Sequence, residues 1–117
     1  MKFSVDKRDN VVVYELLDDK LNSMNAPILK SELVMANTEA FKNIIVDLDK
    51  VKFVDSSGLS ALLIGHRICK EEKGIFILCG LNDTVKNLVK ISQLEDVLHI
   101  HSTLFDAETA LENKKKK

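Results

Sequence analysis

The chain alternates between blocks of period two and blocks of helical spacing. Phe3 and Val5 alternate with Ser4 and Asp6, then a polar turn, Lys7-Arg8-Asp9-Asn10, leads to the β-branched run Val11 to Leu17. This pattern predicts an opening hairpin whose first strand is a short edge strand. The segment from Asp18 to Ser23 has no apolar period and reads as a loop. Asn25 is placed to cap a first helix, with Pro27 tolerated in its first turn, because a proline there lacks only an N–H that would have no helical partner. Leu29, Leu33 and Ala36 mark that helix's buried stripe, which runs out between Thr38 and Phe41.

A second strand–helix unit follows. Asn43 to Leu48 reads as a buried strand, and Val51 to Val54 as a further strand running into Asp55-Ser56-Ser57-Gly58. Leu59, Leu62, Leu63 and His66 then recur at helical spacing on one face, with Ala61, Ile64 and Ile68 on another. The pattern predicts a helix from about Ser57 to Lys73 stopped by Gly74, since glycine accepts positive φ. Such a helix is either deeply buried or presents an apolar patch. Ile75 to Cys79 is apolar without alternation, as expected of a strand covered on both faces. Asn82 caps a third helix in which Val85, Leu88, Val89 and Ser92 share a face, and Val97 to Ile100 is a short last strand. Thr103 with Asp106 resembles a capping box for a final helix, with Leu104, Ala107 and Leu111 inward. Strands alternating with helices after a hairpin predict one α/β domain over residues 1–113, with a mixed sheet and about four helices. The hairpin belongs at one edge and the 75–79 strand inside the sheet.

Composition narrows the class without changing this picture. The 117 residues are 45% apolar and 30% charged, enough for one ordinary folded core. A formal net charge of −1 gives no general attraction to nucleic acid or anionic membrane, and the few aromatics sit at core-like positions. Lys114 to Lys117 form a solvated tail that complements the last helix dipole. Cys69 and Cys79 make neither a C-x-x-C pair nor a metal spacing, and read as buried reduced thiols. No leader-like or membrane-spanning run is present in this sequence. A soluble, cytoplasmic protein is therefore expected.

Candidate chemistry centres on the serine turn. A strand end that feeds a helix start presents backbone N–H groups and the positive end of the helix dipole, which suits a phosphate. In open α/β sheets the carboxyl edge of the strands is also the usual edge for ligands. Serine is a favoured N-cap, so capping accounts for one hydroxyl; it accounts less well for Ser-Ser-Gly, because glycine lowers helix stability and permits close backbone approach. A serine nucleophile is disfavoured: the G-x-S-x-G elbow is absent, and His66 lies about 14 Å along the same helix. His99 and His101 flank a late strand with no evident nucleophile. Gly58, Gly65, Gly74 and Gly80 fit neither phosphate-loop pattern, and no metal-ligand spacing occurs, so no cofactor or metal is expected. A binding module with a modifiable hydroxyl remains, and no enzyme activity is expected of it.

Phe53-Val54-Asp55-Ser56-Ser57-Gly58-Leu59, followed by Leu63-Ile64-Gly65, resembles the signature of STAS domains, specifically the bacterial anti-sigma factor antagonists. The likeness continues through Gly74, the strand to Cys79, and the segment from Val85 to Leu94, so it spans nearly the whole chain. The resemblance implies a STAS-like α/β fold and a partner-switching role. The unphosphorylated antagonist binds an anti-sigma factor that is also a serine kinase, and the sigma factor is released. Phosphorylation of the serine after the aspartate, here Ser56 with Ser57 as the fallback, ends the complex, and a PP2C-type phosphatase reverses it. The resemblance places Asp55, Ser57, Gly58 and Leu59 at the partner's surface, together with Asn22 and Ser23 on a nearby loop, and implies a monomer when free. That loop departs from the family pattern: Gly-Glu-Leu/Ile-Asp is replaced by Asp19-Lys20-Leu21-Asn22. The alternative within the family is a subunit that docks on the ATPase of an ABC-type lipid transporter without a phosphorylation cycle; two serines in the turn favour the switch.

Overall fold

The computed structural model describes residues 2–8, 10–39 and 41–115. A five-stranded sheet has the order β1-β2-β4-β6-β7, built from β1 (Phe3–Arg8), β2 (Val11–Leu16), β4 (Asn43–Asp47), β6 (Phe76–Cys79) and β7 (His99–His101). Among the described residues only the β1–β2 hairpin is antiparallel, with Phe3 opposite Leu16 and Arg8 opposite Val11. The pairs β2–β4, β4–β6 and β6–β7 are parallel, so the sheet is mixed, as expected. The hairpin lies at one edge and β6 lies between two neighbours, which explains its unbroken run of apolar residues.

Four helices, α1 (Ala26–Thr38), α2 (Ser56–Glu71), α3 (Asp83–Ile91) and α4 (Leu104–Lys115), cover the sheet. Alternation along the strands sends Val12, Tyr14, Leu16, Ile44, Val46, Phe76 and Leu78 into the larger core, which also takes Leu29 and Leu33 of α1, Leu62 of α2 and Val85 of α3. Val11, Val13, Ile45, Ile77 and Cys79 meet Ala107 and Leu111 of α4 in a smaller core on the other face. Both cysteines are buried and free, and burial pushes each thiol up to about 12. They are inert at neutral pH.

Several boundaries move from where the pattern puts them. The loop over Asp18–Ser23 contains a short strand, β3 (Lys20–Leu21), and the 51–54 strand contracts to β5 (Phe53–Val54). These two pair in parallel with each other as a separate two-stranded sheet, Lys20 opposite Phe53 and Leu21 opposite Val54. The pairing is non-local, which no period along the chain encodes. β2 stops at Leu16, β6 starts one residue after Ile75, and the last strand shifts to His99–His101. Ser92, expected on the inner face of α3, is exposed and closes the helix as its C-cap.

The helix ends differ in their chemistry. Asn82 caps α3 as expected, its Oδ1 accepting from Val85 N–H at 2.8 Å, and the Thr103 hydroxyl accepts from Asp106 N–H at 3.1 Å. Asn25 precedes α1 but makes no side-chain cap bond; its side chain is engaged by the β3 loop instead. α2 ends two residues before Lys73, and the positive φ falls on Lys73 (61°) rather than on Gly74. Lys73 N–H donates to Lys70 O at 3.1 Å and Gly74 N–H to Cys69 O at 2.7 Å, the two bonds of a Schellman end. Gly74 is needed for closeness, since a Cβ there would run into the Lys42 carbonyl. The lysine tail is partly helical: α4 runs to Lys115, whereas Lys116 and Lys117, like Asp9 of the hairpin turn, lie outside the described residues.

Candidate functional site

The serine turn sits at the carboxyl end of β5, in the small sheet rather than the large one. Asp55, not a serine, is the N-cap of α2: its backbone is extended (φ −97°, ψ −175°) and Oδ1 accepts from Gly58 N–H at 2.9 Å. Leu59 N–H donates to Asp55 O at 2.9 Å, closing the first turn. Ser56 and Ser57 therefore occupy the first turn itself with no capping duty. Among the described residues, neither serine hydroxyl makes a hydrogen bond. Ser56 is exposed and Ser57 half-buried. The N–H groups of that turn and the α2 dipole give the position a positive local field, while the Asp55 carboxylate beside it supplies the opposite sign.

The β3 loop braces this turn. Asp55 N–H donates to Leu21 O at 3.1 Å, and Lys52 and Phe53 N–H groups donate to Asp19 O at 2.7 and 3.2 Å. Leu21 is fully buried below the turn, and Gly58 lies against it. A Cβ on Gly58 would come within 2.6 Å of Leu21 O and 2.9 Å of Val54 Cγ1. The glycine in the first turn of α2 thus permits close backbone approach within the protein itself.

Asn22 and Asn25 fix the loop's shape. Asn22 N–H donates to Asn25 Oδ1 at 2.8 Å, and Asn22 Oδ1 accepts from Met24 N–H at 2.9 Å. Asn25 Nδ2 donates to Lys20 O at 2.8 Å and to Asp18 Oδ2 at 3.3 Å. An amide oxygen at position 22 makes this Asx turn as a carboxylate oxygen does, so asparagine at that position leaves the turn formed and carries no negative charge there.

The expected partner-contact residues separate into two groups. Asn22, Ser23 and Asp55 line one recess, and Ser23 and Ser57 another, each with at least part of its surface open, whereas Gly58 and Leu59 are buried. Two residues not singled out in the sequence complete the surface: Met24 is 85% exposed and Phe53 47% exposed. They line a shallow recess with Lys20, Asn22, Ser23 and Asp55. A second recess, between α1 and α2, is lined by Ser57, Ser60, Ser23 and Lys30. The signal for Phe53 was its place beside buried Val54 in a two-residue strand, where one side chain must face out. Met24 was visible only as an apolar residue inside a polar loop. His66 is on the same helix but far from Ser56, and neither His99 nor His101 lines the two recesses beside the serines.

Comparison with known proteins places this geometry. The family model described as the STAS domain matches residues 2–107. A putative anti-sigma factor antagonist, BtrV of Bordetella bronchiseptica, is 28% identical over 92 residues, covering 79% of this chain and 78% of that protein. The anti-sigma-B factor antagonist of Staphylococcus aureus is 26% identical over 104 residues, covering 86% and 94%. Among solved structures, a putative anti-sigma factor antagonist from Thermotoga maritima superposes with a TM-score of 0.85 at 23% identity, covering 94% of each chain. SpoIIAA in its unphosphorylated form gives 0.82 at 22% identity, covering 96% and 97%, and the phosphorylated form of the Bacillus protein gives 0.73 at 22%, covering 93% and 98%. A sulfate transporter family protein from Wolinella succinogenes shares the fold at 0.81 and 20% identity, covering 92% and 89%. No helix among the described residues is long and apolar enough to cross a membrane. The two curated relatives above carry the description of anti-sigma factor antagonist, putative for BtrV, and the chain itself belongs to the STAS domain family.

Proposed function

We propose that this protein is an anti-sigma factor antagonist that binds an anti-sigma factor serine kinase, frees a sigma factor, and is switched off by phosphorylation of Ser56. The observation that carries this reading is the exposed Ser56 hydroxyl in the first turn of α2, left unengaged because Asp55 performs the capping. Ser57 is the poorer acceptor, being half-buried at the α1–α2 recess. The occurrence of SpoIIAA in phosphorylated and unphosphorylated forms supports a cycle of this kind. A PP2C-type phosphatase closes it. The partner kinase supplies the catalytic groups; this chain supplies the acceptor and the surface around it, with Met24, Phe53, Asn22 and Ser23 beside Asp55. The protein acts in the cytoplasm as a monomer when free.

The switch follows from charge. Phosphorylation adds about −1.5 to −2 charges at neutral pH, and the α2 N-terminus accommodates them in the free protein. In the complex the same group is enclosed beside Asp55 against a surface formed around a hydroxyl. Leaving a buried charge without its partner costs about 3–5 kcal/mol, and about 1.4 kcal/mol already lowers affinity tenfold. The test is to identify the kinase by pull-down, map the phosphosite, and titrate wild type, Ser56→Ala and Ser56→Asp against it. Ser56→Ala should bind and resist modification, and Ser56→Asp should bind at least about tenfold more weakly. Undiminished binding by Ser56→Asp with phosphate on another residue overturns the assignment. Recovery of transporter ATPase subunits in place of a kinase selects the transporter-docking alternative.

A further inference from the structure

Some ten residues beyond Ser56, about 15 Å along α2 at the helical rise, the same helix carries a second group of polar side chains. His66 and Lys70 line a recess of about 370 Å³ together with Ile75, Asp96, Val97 and His99, while Phe76 of β6, almost fully buried, offers it little surface. The volume is at the small end of ligand pockets, which span about 300–1,000 Å³. The two imidazoles converge, their ring centroids 6.3 Å apart. Lys70 is exposed and makes no ion pair among the described residues. Val97 is 40% exposed. The recess thus joins an unpaired cation, two imidazoles and an apolar wall, and the switch surface uses none of them. No group of three or more histidine, cysteine or acidic side chains among the described residues is arranged to hold a metal ion.

We propose that this recess binds a small organic anion, its carboxylate or phosphate-monoester head held by Lys70 and His66 and its apolar body lying against Ile75 and Val97. Asp96 limits the charge such a ligand can carry, disfavouring a polyanion. Burial, and then the charge of Lys70, hold His66 below its ordinary value, so it is neutral in the free protein at neutral pH. The groups facing it are Lys70 on its own helix, Asp96 ahead of β7 and His99 on β7; β6 contributes only Phe76. An arriving anion favours the imidazolium. Binding therefore takes up a proton, and affinity rises as pH falls from neutrality toward the value of free His66.

The experiment uses isotopically labelled full-length protein and four probes: phenyl phosphate, benzoate, inorganic phosphate and benzyl alcohol. Imidazole and amide resonances are followed by NMR. Phenyl phosphate or benzoate should give saturable shifts centred on His66, Lys70 and His99, with inorganic phosphate and benzyl alcohol each binding more weakly because each offers half of the ligand. The better of the two aromatic anions identifies the head group. Lys70→Gln should weaken binding about tenfold, the scale of one charge-assisted hydrogen bond. Binding should be tighter at about pH 6 than at about pH 7.5, and His66→Asn should flatten that difference. Ser56→Ala should leave binding unchanged, which separates this site from the switch. Non-saturating shifts, shifts centred on Ser56, equal binding of benzyl alcohol, or a Lys70→Gln protein that binds as wild type overturn the proposal.

Discussion

The centre of the large sheet and the two-stranded sheet under Ser56 are held by different forces. Every residue of β4 and β6 is buried, and all of their side chains but those of Asn43 and Asp47 enter apolar cores on both faces. Burial of this kind is non-directional and scales with area. β3 and β5 have two residues each, of which one is buried and one exposed. Their position depends on directional bonds from Asn22, Asn25 and Asp55 and on the missing side chain of Gly58. The sheet centre gives the molecule its stability; the small sheet gives one surface its shape. The proposed partner surface is thus positioned by polar bonds each worth about 0.5–1.5 kcal/mol net.

The largest expected effect lies in the sheet. Ile77 is fully buried between β4 and β7 against α4. Ile77→Ala should lower global stability by about 2–5 kcal/mol, read as a lower midpoint in chemical denaturation with one cooperative transition. Gly58→Ala comes next. Its Cβ meets a backbone carbonyl, Leu21 O, which cannot swing away as a flexible side chain does. The cost should be about 1–3 kcal/mol, with faster hydrogen exchange confined to the β3 loop and the first turn of α2. Loss of global cooperativity in Gly58→Ala, or a local effect from Ile77→Ala, would erase the distinction between the regions.

That distinction also governs what could be read from the sequence. The runs Val11 to Leu16, Asn43 to Asp47 and Phe76 to Cys79 are dense in β-branched or apolar residues, and the helical stripes of α1 and α2 are regular, so order and fold class were legible. Ser56 and Asp55 were legible as a helix start. Which of them capped it was not, because aspartate and serine are both good caps one residue apart. β3 was hidden because a two-residue strand has no period, and its partner lies over thirty residues away, as the pairing of Lys20 with Phe53 shows. Asn25 looked like a cap for the same reason that it works as a brace: its short amide bonds to whichever backbone group is near.

Asn25→Ala tests the brace at smaller cost. The change removes the acceptor for Asn22 N–H and the donors to Lys20 O and Asp18 Oδ2. Because the site is half open to water, the loss of stability should be about 1 kcal/mol. The more telling reading is functional: Asn22, Ser23 and Met24 lose their fixed arrangement, so affinity for the partner should fall by more than stability does. Equal affinity in a measurably looser loop would show that the partner shapes this surface on binding.

The smallest effect has the opposite sign and belongs to the far end of α2. Lys73 holds φ at 61° to complete the Schellman end that delivers the chain into β6. A non-glycine residue in that region pays about 1–2 kcal/mol of steric cost, and glycine's extra freedom in the unfolded chain returns about 0.5–1 kcal/mol of it. Lys73→Gly should therefore stabilise the protein by roughly 0.5–1 kcal/mol, seen as a higher denaturation midpoint with an unchanged slope. Lys73 makes no ion pair among the described residues, so its charge is not missed. The change lies at the opposite end of α2 from Ser56 and should leave partner affinity and phosphorylation of Ser56 as they are. A stabilised sheet with an unaltered switch is the outcome that independent regions require; a shift in partner affinity would mean that α2 transmits strain from one end to the other.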